Sequence, residues 1–419
     1  MKISKRVIIA LITVFGVAGA SISTYFIVIY IGSTGNGSNG NGSEEKSIDV
    51  KIQELMAEYE IPSLAAAIVI NNSIAWANGF GDQSALDTVY MIGSITKTFT
   101  ATALLQLKEN NLLNLDDDIN DYIPFNVKHP NYSSTPITPR MLLTHKAGLP
   151  TNLYWSLEYY FDNQTIDWIN NNLGWDIIKW AHRPTLEEFL NGSLNPSGSY
   201  YNDYNWQTQP GTEFQYSNAG FQLLGYLVEE ITNQSLEMYI QENIFDPLNM
   251  TESGYFYADF VGKHAIPYEW RLGNNFELPL YNINVTGAGS IRSNVLDMAK
   301  YMNAFMNEGE ANGTQILSPA SVNLMHSIQH PLTGTTVEGF TFEGYGLGWN
   351  IYESNFVGHG GATPGFSSNM FLKITNNGSF GVILMFNRGS ALLYDSLLIT
   401  DFIPQINNLL LEEAENLFY

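Results

Sequence analysis

A long apolar run without charge occupies the start of the chain. It extends from Val7 to Ile31 and follows MKISKR, whose positive residues precede it. As a helix this run would span about 37 Å at ~1.5 Å per residue, enough to cross a hydrocarbon core of about 30 Å. It therefore predicts a transmembrane anchor over residues 7–31. Because the positive residues stand before it, the tail 1–6 is expected on the cytoplasmic side of the cell membrane. The chain after Ile31 is expected on the outer side.

A cleaved signal peptide is the alternative interpretation of the same run. Ala18-Gly19-Ala20 resembles a small-residue cleavage site after a short apolar core. The run continues past this site through Tyr25 and Ile29, which favours an uncleaved anchor.

The pattern then changes to that of a linker followed by a folded domain. Residues 32–46 are rich in Gly, Asn and Ser, which predicts a flexible linker. From 47 to 419 the apolar residues recur with helix and strand periods, which predicts one domain. Within it, residues 151–209 are dense in Trp and Tyr, either as core or as an apolar wall over a substrate cleft.

Strand patterns stand at both ends of this domain. SLAAAIVI and SIAWANGF alternate around Asn71-Asn72 and predict a hairpin. GYGLGWNIYE, SSNMFLKI and FGVILMFN predict antiparallel strands, followed by a terminal helix over residues 392–413. Strands at both ends with helices between them predict an α+β fold, in which an antiparallel sheet built from both ends of the chain has flanking helices and an inserted, mostly helical region.

Composition narrows the possible functions. The chain has no cysteine, which excludes disulfides, thiolate catalysis and cysteine zinc sites. The net charge is −23, with 18 Lys and Arg against 41 Asp and Glu, so nucleic acid is not an expected partner. Because no histidine pair is clustered, neither a metal nor another cofactor is expected, and six of the histidines, including His145, are expected to be structural. The expected partner is a small-molecule or peptide substrate, and the oligomeric state is left open.

A serine and a lysine stand three residues apart at the start of a predicted helix. Ser94 and Lys97 in IGSITKTFT would share one face of that helix, whose buried side is expected to hold Phe99, Ala103, Leu104 and Leu107. A serine hydroxyl needs a neighbouring group to take its proton before it becomes a good nucleophile. The spacing alone is weak, because the linker carries the same pattern at Ser43 and Lys46.

Two further motifs carry side chains suited to chemistry. Tyr216, Ser217 and Asn218 stand on a predicted turn between an extended segment and a helix. His359 precedes two glycines at the predicted start of a strand, in VGHGGATPGFSSN. Glycines there allow another segment to approach the backbone closely, and Ala362 can offer its N–H outward.

In this order and with these flanks, the three motifs resemble the serine β-lactamase and penicillin-binding-protein superfamily. The closest likeness is to its class C-like branch of β-lactamases, esterases and D-aminopeptidases. It covers about residues 47–390 and includes IGSITKTFTATALLQL, LDDDINDYIP, ITPRMLLTHKAGLP, PGTEFQYSNAGFQLLGYLVE, GAGSIRSNVLDMAKYM and GHGGATPGFSSN. The resemblance implies that Ser94 is the nucleophile and that Lys97 and Tyr216 are the acid–base groups. Which of the two takes the serine proton is left open.

The resemblance also implies a substrate-binding side. The backbone N–H groups of the nucleophile and of Ala362 would form the oxyanion hole. Asn218 would position the substrate or the lysine, and His359, Gly360 and Gly361 would line the adjoining strand.

Position 359 departs from the family pattern. β-Lactamases and D,D-peptidases of the superfamily usually carry a lysine there, which helps to hold the substrate carboxylate, whereas a histidine is mostly neutral at pH 7. His359 would act either as a neutral hydrogen-bonding wall or as a cation. The expected function is a membrane-anchored, extracytoplasmic serine hydrolase of the esterase or peptidase/amidase kind. The alternatives are a β-lactamase or D,D-peptidase proper, or a penicillin-binding sensor or binding module without turnover.

Overall fold

Strands from both ends of the chain meet in one antiparallel sheet, as the alternating patterns predict. The computed structural model describes residues 9–12, 25–28 and 46–419, except 154–158, 161–162, 175–178, 180–183, 272, 284–285, 333–335, 338–339 and 390–396. The described strands are β1 (Ile9–Ile12), β2 (Tyr25–Val28), β3 (Ser63–Ile70), β4 (Ser73–Gly81), β5 (Tyr90–Met91), β6 (Tyr159–Tyr160), β7 (Tyr268–Arg271), β8 (Asn274–Glu277), β9 (Asn282–Ile283), β10 (Arg292–Ser293), β11 (Glu310–Ala311), β12 (Thr314–Gln315), β13 (His330–Pro331), β14 (Thr336–Val337), β15 (Phe340–Tyr345), β16 (Asn350–Tyr352), β17 (Phe356–Thr363), β18 (Phe366–Thr375), β19 (Gly378–Phe386) and β20 (Arg388–Gly389).

Most of the described α-helices lie between β5 and β13. The described α-helices are α1 (Ile48–Glu58), α2 (Thr96–Glu109), α3 (Pro139–Leu143), α4 (Asn163–Leu173), α5 (Leu186–Leu194), α6 (Asn218–Thr232), α7 (Leu236–Ile240), α8 (Thr286–Gly289), α9 (Val295–Met306), α10 (Pro319–Met325) and α11 (Ile403–Phe418). A π-helical turn, Leu398–Phe402, leads into α11. The terminal helix thus ends later than the predicted 392–413, and residues 392–396 lie outside the described residues.

Nine of the described strands form the main sheet. Its order is β13-β15-β16-β17-β18-β19-β3-β4, with β14 paired to β15. The hairpin predicted around Asn71-Asn72 is confirmed: β3 and β4 pair through it, and both asparagines have the positive φ that a tight hairpin turn requires. The antiparallel pairing of β19 with β3 joins the two ends of the domain, so the α+β prediction is confirmed.

The central strands are buried on both faces. Alternate residues of β3 enter two different apolar clusters, because successive side chains of a strand point to opposite faces. One cluster includes residues of α2, α6 and α9, such as Phe99 and Leu223, and the other includes residues of α1 and α11, such as Ile52 and Leu410. Helices therefore cover the sheet on both sides, and each large apolar side chain buried there stabilises the fold by about 1.5–3 kcal/mol.

Helix α2 is buried more completely than its pattern predicts. Every residue from Thr96 to Leu107 is buried, not only the four expected on one side. The helix lies within the domain, in contact with α6, α7 and α8 as well as with its own preceding turn. Polar residues such as Thr98 and Thr100 are therefore enclosed along with the apolar ones, and each must find a hydrogen-bond partner.

The N-terminal run differs from its prediction where the structure describes it. Met1–Lys46 forms a unit separate from Ser47–Tyr419. In it β1 and β2 pair as antiparallel strands, so residues 9–12 and 25–28 are not helical. The remainder of 7–31 lies outside the described residues. An uncharged run rich in Ile, Val and Thr suits a strand as well as a helix, because β-branched residues favour strands. No helix in the described part of the chain is long and apolar enough to cross a bilayer.

Candidate functional site

The S-x-x-K motif lies where a tight turn runs into α2. Gly93–Ile95 forms a 3₁₀ turn, and α2 begins at the next residue. Gly93 has φ of +50°, a conformation that side chains disfavour, and a Cβ atom on it would lie 2.7 Å from the backbone nitrogen of Ala362. Glycine at this position therefore allows the turn to lie directly against strand β17. Ser94 is half-buried and Lys97 is fully buried.

Three oxygen atoms surround the ammonium group of Lys97. Its Nζ donates to Ser94 Oγ at 3.0 Å, to Asn218 Oδ1 at 2.7 Å and to the carbonyl oxygen of Ala288 at 2.8 Å. The same nitrogen lies 4.9 Å from the centre of the Tyr216 ring. The structure thus brings together four residues predicted from two separate motifs, and it adds the carbonyl of Ala288 from α8.

The Tyr216 motif lies at the start of α6, as predicted. Ser217 caps the helix: its Oγ accepts from the N–H of Gly220 at 2.9 Å and donates to the carbonyl oxygen of Pro150 at 2.7 Å. Burial raises the pKa of Tyr216, against the opposing effect of a hydrogen bond with Ser94. Tyr216 is therefore a neutral phenol near pH 7, within hydrogen-bonding reach of the predicted nucleophile.

Both the oxygen and the nitrogen of the Asn218 side-chain amide make hydrogen bonds. Its Oδ1 accepts from Lys97, and its Nδ2 donates to Asn152 Oδ1 at 2.9 Å. The second bond fixes which end of the amide faces the lysine. Asn152, which the sequence did not single out, is half-buried beside it.

Strand β17 forms the opposite side of the site. It pairs with β18 along its whole length but with β16 only as far as Gly358. Beyond Gly358 the strand packs against the Ser94 turn: a Cβ atom on Gly361 would overlap the carbonyl oxygen of Ile92. Ser368 Oγ donates to the same carbonyl at 2.9 Å. Ala362 is exposed, and its backbone nitrogen lies beside the turn that carries Ser94.

His359 lies within β17 rather than at its start, and its ring is buried. The ring is 3% exposed, with Nε2 3.3 Å from Tyr345 Oη and Nδ1 2.6 Å from the carbonyl oxygen of Gly360. Burial, together with the positive charge of Lys97, lowers the pKa of His359 to about 3, against the effect of the Gly360 hydrogen bond. Of the two interpretations of His359, the neutral one fits this environment.

His145 was expected to be structural, yet it lies directly behind the site. Its Nδ1 accepts from the backbone N–H of Ser217 at 3.0 Å, and its Nε2 lies 3.1 Å from Tyr345 Oη. Burial and the nearby Lys97 lower its pKa well below the usual value. The sequence contained a signal, because His145 stands in the family-like stretch ITPRMLLTHKAGLP, but nothing local connected it with Tyr345.

No group of three or more His, Asp and Glu side chains in the described part of the chain is placed to hold a metal ion. The chemical groups that surround Ser94 are an amine, a phenol, an amide and backbone N–H groups. Such a set suits attack by the serine on a carbonyl carbon.

Comparison with known proteins places the chain in a family. The sequence model of the family described as Beta-lactamase matches residues 48–396. Protein flp from Staphylococcus aureus (strain COL) is 24% identical over 356 residues, which cover 83% of this chain and 64% of that protein. The chain thus spans less than two thirds of the length of this relative.

Solved structures share the fold. The octameric penicillin-binding protein homologue from Pyrococcus abyssi has a TM-score of 0.66 and 28% identity, over 81% of this chain and 72% of that chain. A D-stereospecific amidohydrolase from Streptomyces sp. has a TM-score of 0.61 and 22% identity, over 86% of this chain and 98% of that chain. At this identity the second likeness shows the fold alone.

Proposed function

Because the chain belongs to the beta-lactamase family, we propose that it is a serine hydrolase that cleaves an ester or amide through an acyl-enzyme on Ser94. The observation that carries the proposal is the set of bonds around Lys97. The carbonyl oxygen of Ala288 and Oδ1 of Asn218 can only accept hydrogen bonds. When Lys97 is neutral, its two N–H bonds serve these two acceptors, and its lone pair is directed at Ser94 Oγ, 3.0 Å away.

The reaction then begins with Lys97 as the base. Ser94 Oγ attacks the substrate carbonyl carbon while its proton passes to Lys97 Nζ. The negative charge on the carbonyl oxygen is stabilised by the N–H groups of Ser94 and Ala362. Tyr216, a neutral phenol, donates its proton to the leaving group and recovers one from Lys97. Water then attacks the ester of Ser94, releases the acid and regenerates the serine.

We further propose that the substrate carries no carboxylate near the scissile bond. In β-lactamases a lysine at the position of His359 helps to hold a carboxylate, whereas here the ring is buried and neutral near pH 7. A neutral ring offers no fixed charge to a substrate carboxylate. Short neutral esters or amides are therefore expected to be better substrates than carboxylate-bearing β-lactams.

The test combines covalent labelling with a substrate panel. A fluorophosphonate probe should label the wild-type chain and the Ser43→Ala variant, which has lost only the linker copy of the motif. The Ser94→Ala variant should lose both labelling and hydrolysis. Labelling that persists in Ser94→Ala contradicts the proposed nucleophile.

The panel then separates the candidate activities. Neutral p-nitrophenyl esters and D-amino-acid amides should be turned over with a higher kcat/KM than nitrocefin or esters that carry a carboxylate near the scissile bond. A higher kcat/KM for nitrocefin would instead indicate a β-lactamase proper. A stable acyl adduct of nitrocefin without turnover would indicate a penicillin-binding sensor.

An extracytoplasmic, membrane-anchored location is also proposed, on the support of the charge pattern around residues 7–31 alone. In cell fractionation, the full chain should partition with membranes, and residues 47–419 should remain in the soluble fraction with the same kcat. A full chain that fractionates as soluble at its full mass contradicts the anchor.

A further inference from the structure

Three buried side chains join the Tyr216 turn to strand β17. The backbone N–H of Ser217 donates to His145 Nδ1 at 3.0 Å, and His145 Nε2 lies 3.1 Å from Tyr345 Oη. Tyr345 Oη in turn lies 3.3 Å from His359 Nε2, and His359 Nδ1 lies 2.6 Å from the carbonyl oxygen of Gly360. The three side chains are 1%, 0% and 3% exposed, in chain order.

The two ends of this chain of contacts determine the hydrogen positions within it. A backbone N–H can only donate, so His145 Nδ1 carries no hydrogen and the hydrogen of the neutral ring is on Nε2. A carbonyl oxygen can only accept, so His359 Nδ1 carries the hydrogen and Nε2 is bare. His145 therefore donates to Tyr345 Oη, and the Tyr345 hydroxyl donates to His359. All four hydrogen bonds run in one direction, from Ser217 to Gly360.

We propose that His145, Tyr345 and His359 form a one-directional hydrogen-bond relay. The relay positions strand β17, which carries Ala362 of the proposed oxyanion hole, relative to the turn that carries Tyr216. These are positioning residues: none is proposed to touch the reacting atoms. One end of the relay is the residue after Tyr216, and the other is the glycine two residues before Ala362. The catalytic consequence rests on the proposed hydrolase function, whereas the relay itself is a property of the fold.

The surroundings leave little freedom for another arrangement. The ring of His145 lies 4.4 Å from that of Tyr216, 5.1 Å from that of Phe221 and 5.5 Å from that of Phe214, measured between ring centres. Aromatic rings cannot replace a lost hydrogen bond of a buried imidazole. Removal of the Tyr345 hydroxyl would therefore leave a donor on one histidine and an acceptor on the other without their partner, and each such group costs about 1–3 kcal/mol.

The first test reads the hydrogen positions directly. In the chain labelled with ¹⁵N-histidine, the ring nitrogen shifts should show the Nε2–H tautomer for His145 and the Nδ1–H tautomer for His359 at pH 7. In Tyr345→Phe the resonances of both rings should change. Those of His326, which is half-buried and lies outside the relay, should not. Any other tautomer in the wild-type chain overturns the relay, whether or not the chain hydrolyses the tested substrates.

The second test asks whether the relay acts as a unit. Asparagine in His145→Asn can still accept from Ser217 through Oδ1 but cannot reach Tyr345. His145→Asn and Tyr345→Phe should each lower kcat on the order of 10- to 100-fold with little change in KM, because small misplacements of reacting groups have effects of that size. The double variant should lose no more than the worse single variant.

The matched control is Tyr90→Phe, which also removes a buried tyrosine hydroxyl. That hydroxyl lies 2.8 Å from Ser63 Oγ, outside the relay and outside α2. Its kcat should stay near that of the wild-type chain. Losses that simply add in the double variant, or an equal loss in the control, contradict the relay. If the wild-type chain does not hydrolyse the tested substrates, the proposed function is contradicted. The relay is then tested by the histidine tautomers alone.

Discussion

Helices α2 and α11 are both buried in the domain, and they are held there in different ways. Six of the twelve buried residues of α2 are polar: Thr96, Lys97, Thr98, Thr100, Thr102 and Gln106. Only one of the six buried residues of α11 is polar, namely Asn407, whose Oδ1 accepts from Asn369 at 3.3 Å. The rest of the buried face of α11 is aliphatic.

The polar residues of α2 have specific partners. Thr100 Oγ1 donates to the carbonyl oxygen of Gly287 at 2.8 Å, and Gln106 Nε2 donates to that of Ile316 at 3.0 Å. Apolar burial is non-directional, whereas hydrogen bonds fix rotation and register. The helix that carries Lys97 and follows the Ser94 turn is therefore fixed in orientation, and α11 contributes mainly stability.

The largest expected effect is that of replacing Lys97, the buried lysine of α2. Lys97→Met should lower kcat on the order of 10² or more, because it removes the proposed base. The matched variant on the other helix is Asn407→Leu, which also replaces a buried polar residue by an apolar one. Steady-state kinetics on equal amounts of folded protein should show near wild-type kcat for Asn407→Leu. An equal loss in both variants would remove the distinction between the helices.

The next effect concerns stability alone. Leu410 is fully buried on α11, and Leu410→Ala should lower the free energy of unfolding by about 2–5 kcal/mol through lost burial and a new cavity. The kcat of the folded molecules should not change, because Leu410 and the apolar residues of α2 belong to the clusters on opposite faces of the sheet. Urea unfolding and active-site titration together check this. A specific loss of kcat would show that α11 also orients the site.

A smaller effect is expected from removing one directional bond of α2. Thr100→Val keeps the shape of the side chain and leaves the carbonyl of Gly287 without this donor, at a cost of about 1–3 kcal/mol in the free energy of unfolding. Unlike Leu410→Ala, it should also lower kcat, because the next residue, Ala288, supplies the carbonyl that holds Lys97. Unchanged kcat at reduced stability would mean that this bond does not orient the site.

The last effect is the dependence of the free energy of unfolding on pH. Burial lowers the pKa values of His326 and His359 to about 3, whereas an unfolded histidine titrates near 6.5. Below pH 6.5 the unfolded chain therefore binds protons that the folded chain does not. The contribution of these two histidines to the free energy of unfolding should be complete above pH 6.5. It should fall towards pH 3, by about 1.4 kcal/mol per pH unit for each histidine.

The control for this pH dependence is His326→Gln, which removes one titrating ring away from Ser94. Urea unfolding at pH 5 and pH 7 should show a smaller difference in the free energy of unfolding than for the wild-type chain. The kcat of folded His326→Gln molecules at pH 7 should equal that of the wild-type chain. An unchanged pH dependence in His326→Gln would contradict a lowered pKa of His326 in the folded chain.

Local patterns sufficed for much of the fold and for the placement of the motifs. The alternation around Asn71-Asn72 predicted β3 and β4, and the turns before α2 and α6 were placed from glycine, serine and the apolar runs that follow. These features depend on neighbours in the chain, whose spacing the sequence displays. The run over 7–31 shows the limit of such patterns, because an uncharged β-branched stretch is compatible with a helix and with the strands β1 and β2.

The contacts of the site were decided by the tertiary structure. The sequence by itself placed Ser94 and Lys97 three residues apart at a helix start, and their proposed roles remain predictions. The carbonyl of Ala288 lies 191 residues from Lys97, and Tyr345 lies 200 residues from His145. No local period relates such residues, since they meet only when the sheet and the helices over it pack together. For the same reason the neutral state of His359 could not be predicted from the sequence, because a histidine alone is compatible with either charge and burial by distant residues selects one.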